Sequence, residues 1–417
     1  MKNAKKLAFN CSKAQVLHWA QAFDYYCFFD SNGYKSGFGL DQFDWMLGVS
    51  SVENSFSSRT IPEQLELNHS DLPLFFHLTY EAKNTLEPLL KSKNKASHTL
   101  DCYRQMQPDF VLFSKNKQLF LIGDEKQIEG LEQSKALEIE PFDQKLEFQS
   151  TKSDYFKAFE SCQKALQAGE IYEINLCQEV VIRDLDSSPE SIFHHLNTSS
   201  KAPFSALMKW KNYSILSASP ERFLCRENNI LFSQPIKGTR PRSKDQTKDL
   251  ELKTELKTSL KERAENTMIV DLVRNDLSKY AKKGSVVVDK LCEINSYPHV
   301  HQMSSEIRCE LKSDHLFWKA LLEAFPMGSM TGIPKFRCME LTDDIEKFSR
   351  GSYSGTLGFH FPGFSDSNVL IRSLFYDVDR QFANTAVGGA ITIRSKAEEE
   401  YQECLDKLRG IRKMMDD

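Results

Sequence analysis

Short apolar runs separated by polar turns fill the first third of the chain. The runs at 23–29, 43–50 and 74–80 have the length and the aromatic content of β-strands. Two further runs, 110–113 and 119–122, flank a Lys-Asn-Lys turn and predict a hairpin. This pattern indicates antiparallel sheet.

A polar, weakly periodic stretch, residues 126–152, follows this hairpin. Such composition is typical of a connection between structural units. We therefore predict a boundary between a β-rich N-terminal portion, residues 1–148, and a second domain, residues 149–417.

Four apolar runs joined by tight turns lie between residues 204 and 235, and the pairs 369–378 and 382–392 predict a last hairpin. Consecutive strands with such short connections predict an antiparallel meander. The fold class is therefore α+β, and a parallel doubly wound sheet is disfavoured.

Helical periodicity appears in three places. A first helix follows a cap at Ser153 or Asp154, and a second spans 248–280, where leucines recur every four residues. A terminal helix opens with Ser395 and Glu398 in capping-box spacing.

Composition narrows the class of protein. The 417 residues are 40% apolar and 27% charged, which is enough to build a large globular core. The net charge is −4 and no long basic run occurs, which argues against nucleic acid and anionic membranes as general partners. No apolar run is long enough to span a bilayer.

The cysteines indicate the compartment. Ten of them are scattered without a C-x-x-C pair, which argues against disulfides and structural zinc. We therefore expect free thiols in a reducing cytoplasm.

Two pairs of glutamates share one spacing. Glu262 and Glu265 lie on the long predicted helix, and Glu400 and Glu403 lie on the last one. A three-residue step places both carboxylates of a pair on one helix face, where they repel each other. That cost is understandable if both helices direct them at one divalent cation, and oxygen ligands favour Mg²⁺. The alternative is two solvated acidic faces.

Lys237 stands between a predicted strand and a glycine turn, in P-I-K-G-T. A lysine has a pKa near 10.4, so about four in ten thousand are uncharged at neutral pH. A nucleophilic role therefore requires a perturbing environment, and the alternative is a solvated lysine. Glu221 follows a strand and Pro220, and is a candidate general acid. Its alternative is an exposed turn glutamate paired with Arg222.

Several groups are suited to binding anions. Residues 328–335 form a glycine-hydroxyl turn ahead of a predicted helix. Arg372 lies in an apolar segment predicted as strand, where an arginine is either a member of a buried ion pair or a ligand of a substrate carboxylate. Tyr353 and the predicted turn 388–390 supply further donors.

The ordered motifs resemble those of the chorismate-utilising enzymes across about residues 150–413. They are S-A-S-P-E-R-F at 217–223, P-I-K-G-T-R at 235–240, E-R-A-E-N at 262–266, F-P-M-G-S-M-T-G-I-P-K at 325–335, G-S-Y-S-G-T-L-G at 351–358, G-G-A-I-T at 388–392 and E-Y-Q-E-C-L-D-K-L at 400–408. Such a series is far more specific than any single motif. The resemblance implies large antiparallel sheets packed as a sandwich with helices outside.

The lysine distinguishes branches within that family. Anthranilate synthases typically carry alanine here, whereas the aminodeoxychorismate synthases resemble this chain in having P-I-K-G-T. By that resemblance, Lys237 attacks C2 of chorismate while Glu221 protonates the departing C4 hydroxyl. Ammonia then adds at C4 and the lysine leaves, which gives 4-amino-4-deoxychorismate, the precursor of 4-aminobenzoate.

The resemblance also implies a set of binding residues. The direct Mg²⁺ ligands would be Glu265 and Glu403, with Glu262 and Glu400 nearby or acting through water. The residues that orient the substrate would be Gly238, Thr239, Thr331 and Lys407. Those that take the enolpyruvyl carboxylate would be Arg372, Tyr353 and the amides of Gly388, Gly389 and Ala390, the last standing where a third glycine is common.

Two further expectations follow from the resemblance. Glu173 stands in the region where isochorismate and salicylate synthases carry a base lysine, so their hydrolytic chemistry is disfavoured. The chain lacks a G-x-C-x-G nucleophile turn, so ammonia is expected from a separate glutamine amidotransferase subunit. The alternatives are an anthranilate synthase and, from another class, a non-catalytic chorismate-binding subunit.

Overall fold

The computed structural model describes residues 3–34, 39–62, 72–95, 97–98, 101–142, 144–297, 300–313 and 316–416. Its strands, in chain order, are β1 (Lys5–Lys6), β2 (Tyr25–Asp30), β3 (Trp45–Val49), β4 (Ser55–Ser58), β5 (Leu74–Leu78), β6 (Tyr103–Met106), β7 (Phe110–Lys115), β8 (Gln118–Ile122), β9 (Glu147–Phe148), β10 (Glu173–Ile182), β11 (Phe204–Trp210), β12 (Tyr213–Ser219), β13 (Arg222–Glu227), β14 (Ile230–Gln234), β15 (Ile236–Pro241), β16 (Val287–Ser296), β17 (Val300–Glu310), β18 (Gly332–Ile333), β19 (Thr356–Phe361), β20 (Phe364–Val369), β21 (Ser373–Asp377) and β22 (Phe382–Thr392).

The α-helices of the described residues are α1 (Lys13–Ala20), α2 (Lys83–Leu86), α3 (Lys152–Gln167), α4 (Pro189–Ser200), α5 (Gln246–Thr258), α6 (Leu260–Ser278), α7 (Phe317–Ala324), α8 (Lys335–Ile345) and α9 (Ala397–Asp416). Within this part of the chain, none of them has the length and apolar character needed to cross a membrane.

The strands form two antiparallel sheets. One has twelve strands in the order β1-β8-β7-β3-β2-β11-β12-β21-β22-β10-β18, with β9 beside β10. The other has ten strands in the order β15-β17-β14-β13-β20-β19-β5-β6-β4, with β16 beside β17. The predicted α+β class with large antiparallel sheets is confirmed.

Side chains that alternate along a strand divide the core into two clusters. Tyr25, Cys27 and Phe29 of β2 belong to a cluster that also contains Phe75 and Phe359 of the ten-stranded sheet, so it fills the space between the sheets. The intervening residues of β2 belong to a second cluster, which α1, α3, α4 and α9 cover on the outer face. Helices α5 and α6 pack on the ten-stranded sheet, against β15 and β17.

The predicted meander is wrong in one respect. Strands β11 and β12 pair in the twelve-stranded sheet, whereas β13 and β14 pair in the ten-stranded sheet. The chain crosses between the sheets at Pro220-Glu221, because proline cannot donate to a continuing ladder. It crosses back at 370–372, where Arg372 has a left-handed φ of 50°. Arg372 therefore lies between strands and not within one.

Several predicted helix ends also differ. Helix α3 is capped by Thr151, which forms the capping box with Asp154, and the predicted second helix is divided at Ser259, which caps α6. Helix α9 begins at Ala397, because the Ser395 hydroxyl accepts from the Thr392 amide. Helix α4 was not predicted.

Both sheets contain strands from either side of residue 148. The division into residues 1–148 and 149–417 stays a prediction. All ten cysteines are free, as expected.

The buried side chain of Arg350 joins three segments of the chain. Its guanidinium donates to Glu346 at 2.6 and 2.9 Å, to the Met330 carbonyl at 2.7 Å and to the Asn175 carbonyl at 2.8 Å. Glu346 also accepts from the Cys177 amide at 2.9 Å. This buried network holds β10, the loop before β18 and the end of α8 together.

Replacing Arg350 by leucine is expected to lower the free energy of unfolding by about 3–5 kcal/mol, because Glu346 would remain buried without a counter-ion. Urea denaturation measures this loss. The control is Arg337→Leu, which breaks an exposed pair with Glu170 and should cost less than about 1 kcal/mol. Equal losses in the two variants would contradict the assignment.

Candidate active site

Lys237 lies in the interior at the edge of the ten-stranded sheet. Its side chain is 10% exposed, and its Nζ donates to Glu173 Oε1 at 2.7 Å. The pairing of β15 with β17 shifts register between Ile236 and Thr239, so the lysine stands at an irregularity in the strand. It is not a solvated surface lysine.

Gly238 allows this strand to approach helix α6. Its φ is 86°, and a Cβ built there would lie 2.8 Å from Glu262 Oε2 and 2.9 Å from Leu256 Cδ1. A larger residue would be strained and would also displace the helix. The glycine therefore brings Lys237 beside the acidic residues of α6, and Thr239 follows it on β15, opposite Gln302.

Opposing effects act on the pKa of Lys237. Burial lowers it, but the negative charges of Glu173, Glu265 and Glu221 outweigh burial and raise the pKa above its ordinary value. The sequence argument required a perturbed lysine, and the structure shows one that is held as an ammonium. A nucleophilic role therefore needs a group that removes its proton.

Glu221 lies where the chain passes from β12 to β13, and it is only 5% exposed. Burial raises the pKa of its carboxyl to about 7, although Ser329 and the charge of Lys237 act in the opposite direction. Arg222 is not its partner, since that guanidinium donates to Asp366 at 2.9 and 3.0 Å. A carboxyl with this pKa is a suitable proton donor near neutral pH.

Helices α6 and α9 direct carboxylates at one place. Glu265 and Glu400 are both buried, and the Lys261 ammonium lies 3.0 Å from Glu400 Oε1 and 3.9 Å from Glu265 Oε1. Burial raises the pKa of Glu265 to about 7, while the Lys237 charge opposes that rise. These two carboxylates do not belong to solvated faces.

The other members of the two acidic pairs have separate partners. Glu262 lies 3.3 Å from Arg240, and Glu403, which is 46% exposed, lies 2.9 Å from Lys407. Basic side chains thus contact these carboxylates. In the described part of the chain, no three Asp, Glu, His or Cys side chains lie close enough together to hold a metal ion.

The acidic pairs nevertheless fit a hard divalent cation. Glu265 Oε1 and Glu400 Oε2 are buried and have no hydrogen-bond partner among the described residues. A lysine ammonium already lies between the two helices, so the location favours positive charge. Mg²⁺ would be held by Glu265 and Glu403, with Glu262 and Glu400 nearby, if Arg240, Lys261 and Lys407 released Glu262, Glu400 and Glu403.

Arg372 carries a positive charge that no described residue pairs with. Within the residues described, no carboxylate or hydrogen-bond acceptor contacts its guanidinium, and burial lowers its pKa. Of the two roles open to it, a buried ion pair is therefore not observed. An unpaired guanidinium next to the end of β21 is suited to a substrate carboxylate.

The segment Gly388–Ala390 lies inside β22 and is not a turn. Leu176 and Cys177 of β10 stand opposite its glycines, and Ala390 has no left-handed φ, so an alanine fits there. Strand β21 pairs with β22 only as far as Asn384, and no other strand among the described residues pairs with that side of β22 beyond it.

Lys407 and Gly389 connect this strand to helix α9. Lys407 Nζ donates to the Gly388 carbonyl at 2.7 Å, and a Cβ built on Gly389 would lie 3.4 Å from Glu400 Oε2. Tyr353 is buried near Cys177, and burial is the main cause that raises the pKa of its phenol. Gly388 and Gly389 therefore lie beside the acidic residues of α9.

The side chain of Thr331 is less accessible to a substrate than the sequence indicated. It is buried, and its hydroxyl donates to the Met327 and Gly328 carbonyls at 3.2 and 3.4 Å. In this conformation it shapes its own loop.

The sequence analysis did not single out two residues that lie at the site. Lys261 adjoins Glu262 and lies four residues before Glu265, a spacing that indicates an ion pair. Ser329, which hydrogen-bonds to Glu221, lies in the glycine-hydroxyl turn but gave no separate signal.

Comparisons with known proteins identify relatives of the chain. The chain is 38% identical over 273 residues to an aminodeoxychorismate synthase of Streptomyces griseus, a match that covers 65% of this chain and 37% of that protein. It is 38% identical over 268 residues to aminodeoxychorismate synthase component 1 of Escherichia coli, covering 64% and 58% of the two chains. The matched region thus spans less than two thirds of either relative.

A solved structure shows the same fold. Anthranilate synthase component I from Streptococcus pneumoniae superposes with a TM-score of 0.73 at 21% identity, covering 83% of this chain and 82% of the other. The sequence model of the chorismate binding enzyme family matches residues 21–413. The chain, with its paired acidic helices and its buried lysine, therefore belongs to the chorismate binding enzyme family.

Proposed function

We propose that the protein converts chorismate and ammonia to 4-amino-4-deoxychorismate through a covalent bond to Lys237. The observation that carries this proposal is the buried ammonium of Lys237, which lies against Glu173 and within the fields of Glu221 and Glu265. Two relatives of the chain are named aminodeoxychorismate synthases, which supports the same reaction.

The chemistry assigns one role to each central residue. Lys237 Nζ bonds to C2 of the ring as the C4 hydroxyl leaves, and Glu221 donates the proton with which that hydroxyl departs as water. Ammonia then bonds to C4 and the bond to Lys237 breaks. A carboxyl that is half protonated near pH 7 meets the need for a proton donor.

The substrate's two carboxylates require positive charge. Arg372, Tyr353 and the uncovered amides of β22 would bind the enolpyruvyl carboxylate. Mg²⁺, held by the glutamates of α6 and α9, would supply charge for the ring carboxylate. Gly238, Thr239, Thr331 and Lys407 would orient the substrate.

Ammonia is proposed to come from a separate glutamine amidotransferase subunit, because the chain carries no glutaminase motif. The name "component 1" of the Escherichia coli relative is consistent with a second component. A cytoplasmic location fits the free cysteines.

Anthranilate synthase is the second candidate function, and the lysine at position 237 disfavours it. A non-catalytic chorismate-binding subunit is the third, and the buried acid and lysine disfavour that. The products separate all three, since anthranilate fluoresces and a binding subunit forms no product.

Purified protein given chorismate, Mg²⁺ and ammonium is expected to form 4-amino-4-deoxychorismate, identified by mass spectrometry. Lys237→Ala should lower the initial rate by at least about a thousandfold, because the nucleophile is lost. The control is Lys257→Ala, an exposed lysine of α5, which should keep the wild-type rate. Anthranilate as the product, or full activity in Lys237→Ala, would refute the mechanism.

Glu221→Gln is expected to stabilise the protein at high pH while lowering its activity. The folded pKa is about 7 and the unfolded value is 4.5, so the folded state binds the extra proton between these values. Wild-type stability therefore falls as the pH rises through this window. The glutamine variant should be more stable by up to about 3 kcal/mol above pH 7, and by nothing below the unfolded pKa.

Urea denaturation at a series of pH values measures the stability difference between Glu221→Gln and wild type. A difference that does not change with pH would show that the carboxyl is not perturbed by burial.

Mg²⁺ is expected to raise the melting temperature of the wild type, since a ligand at one hundred times its Kd stabilises by about 2.7 kcal/mol. Glu265→Gln should abolish this shift, because it removes a buried ligand. Glu251→Gln on exposed α5 is the control and should retain it. Calorimetry with and without MgCl₂ measures the effect, and an unaltered shift in Glu265→Gln would exclude Glu265 as a ligand.

A further inference from the structure

The nucleophile of the proposed reaction is charged where it lies. An ammonium has no lone pair, so Lys237 must lose one proton before it can bond to carbon. The side chain is largely removed from solvent, and the groups that face it from the surrounding elements are Glu173, Glu221, Glu265, Glu403 and Lys407. One of these must accept the proton, or the proton must reach water.

Glu173 is the facing group with the right geometry. It is 1% exposed, it begins β10, and its Oε1 accepts from Lys237 Nζ at 2.7 Å. Its backbone is fixed on both sides, because β10 pairs there with β18 and β22. Its Oε2 is buried without a hydrogen-bond partner among the described residues, so no other interaction competes for the carboxylate.

The other groups that face Lys237 are less suited to accept its proton. Glu221 must hold a proton for the leaving hydroxyl, so it cannot begin the reaction by taking one. Lys407 is itself a cation, and it occupies Glu403. Glu265 forms no ion pair with Lys237, and its Oε1 lies 3.9 Å from Lys261 Nζ.

We propose that Glu173 accepts the Lys237 proton as the amine bonds to substrate, and returns it when the lysine leaves. The proposal rests on the proposed function. Transfer along the existing hydrogen bond converts two buried charges into two neutral groups, so the net charge of the site is unchanged and no proton crosses to solvent.

The protons balance over the cycle. Glu173 takes one from Lys237, and Glu221 gives one to the C4 hydroxyl, which leaves as water. When ammonia bonds to C4, the bond between C2 and Nζ breaks and Lys237 regains its proton from Glu173. The new ammonium on C4 gives one proton to Glu221, so both carboxyl groups return to their starting states and the sum is chorismate plus ammonia to aminodeoxychorismate plus water.

The test compares initial rates of wild type and Glu173→Gln with chorismate, Mg²⁺ and a fixed concentration of free ammonia, between about pH 6 and 8. The glutamine keeps a hydrogen-bond acceptor for Lys237 but cannot take its proton, which must then go to solvent. The ratio of the wild-type rate to the variant rate should fall as the pH rises, because the fraction of free amine in the variant increases with pH. Taking a ratio removes the titration of Glu221, which both proteins share.

Two further variants separate chemistry from structure. Glu173→Asp keeps a carboxylate, so its rate relative to wild type should not change with pH. Glu179→Gln alters another buried carboxylate of β10, six residues or about 20 Å along the strand, and should keep the wild-type rate at each pH. Binding of chorismate to each protein without ammonia, measured by calorimetry, should agree within about threefold.

The outcomes are distinct. A wild-type to Glu173→Gln ratio that is independent of pH, at any value, would overturn the role of Glu173 while leaving the proposed function intact. Wild-type protein that forms no aminodeoxychorismate would overturn the proposed function itself. If Glu173→Gln does not fold, a pH-dependent ratio for Glu173→Asp would overturn the proposal in its place.

Discussion

A lysine ammonium can remain in this interior only because a carboxylate lies against it. The hydrogen bond between Lys237 and Glu173 joins β15, at the edge of one sheet, to β10 of the other. Removing either partner alone would leave an unpaired buried charge, which is far more costly than keeping both. The same pair holds the Lys237 nitrogen as an ammonium.

The architecture supplies the rest of the site at the places where the chain changes sheets. Glu221 lies at one crossing and Arg372 at the other, and both crossings are next to the open end of β22. A crossing residue is released from ladder pairing, so its side chain is not committed to either sheet face. Both side chains can therefore leave the sheets without interrupting a strand.

Most of the acidic groups around that space are held by basic ones. Lys261, Lys407 and Arg240 contact Glu400, Glu403 and Glu262, respectively. Such an arrangement limits like-charge repulsion in the absence of ligands. A cation would therefore have to replace these basic side chains at the glutamates, and a dianionic substrate would have to replace the glutamates at the basic side chains. Arg372 differs from these basic side chains, since it has no counter-ion among the described residues.

The sequence by itself determined the candidates for the site, because the spacing of Glu262 with Glu265 and the setting of Lys237 before glycine are local properties. It also determined the antiparallel class, through apolar runs of strand length. It could not show that the meander divides between two sheets, since pairing across a turn and crossing to another sheet have the same local pattern. Only the tertiary structure decided that Glu173 contacts Lys237, because 64 residues separate them and a hydrogen bond depends on distance in space.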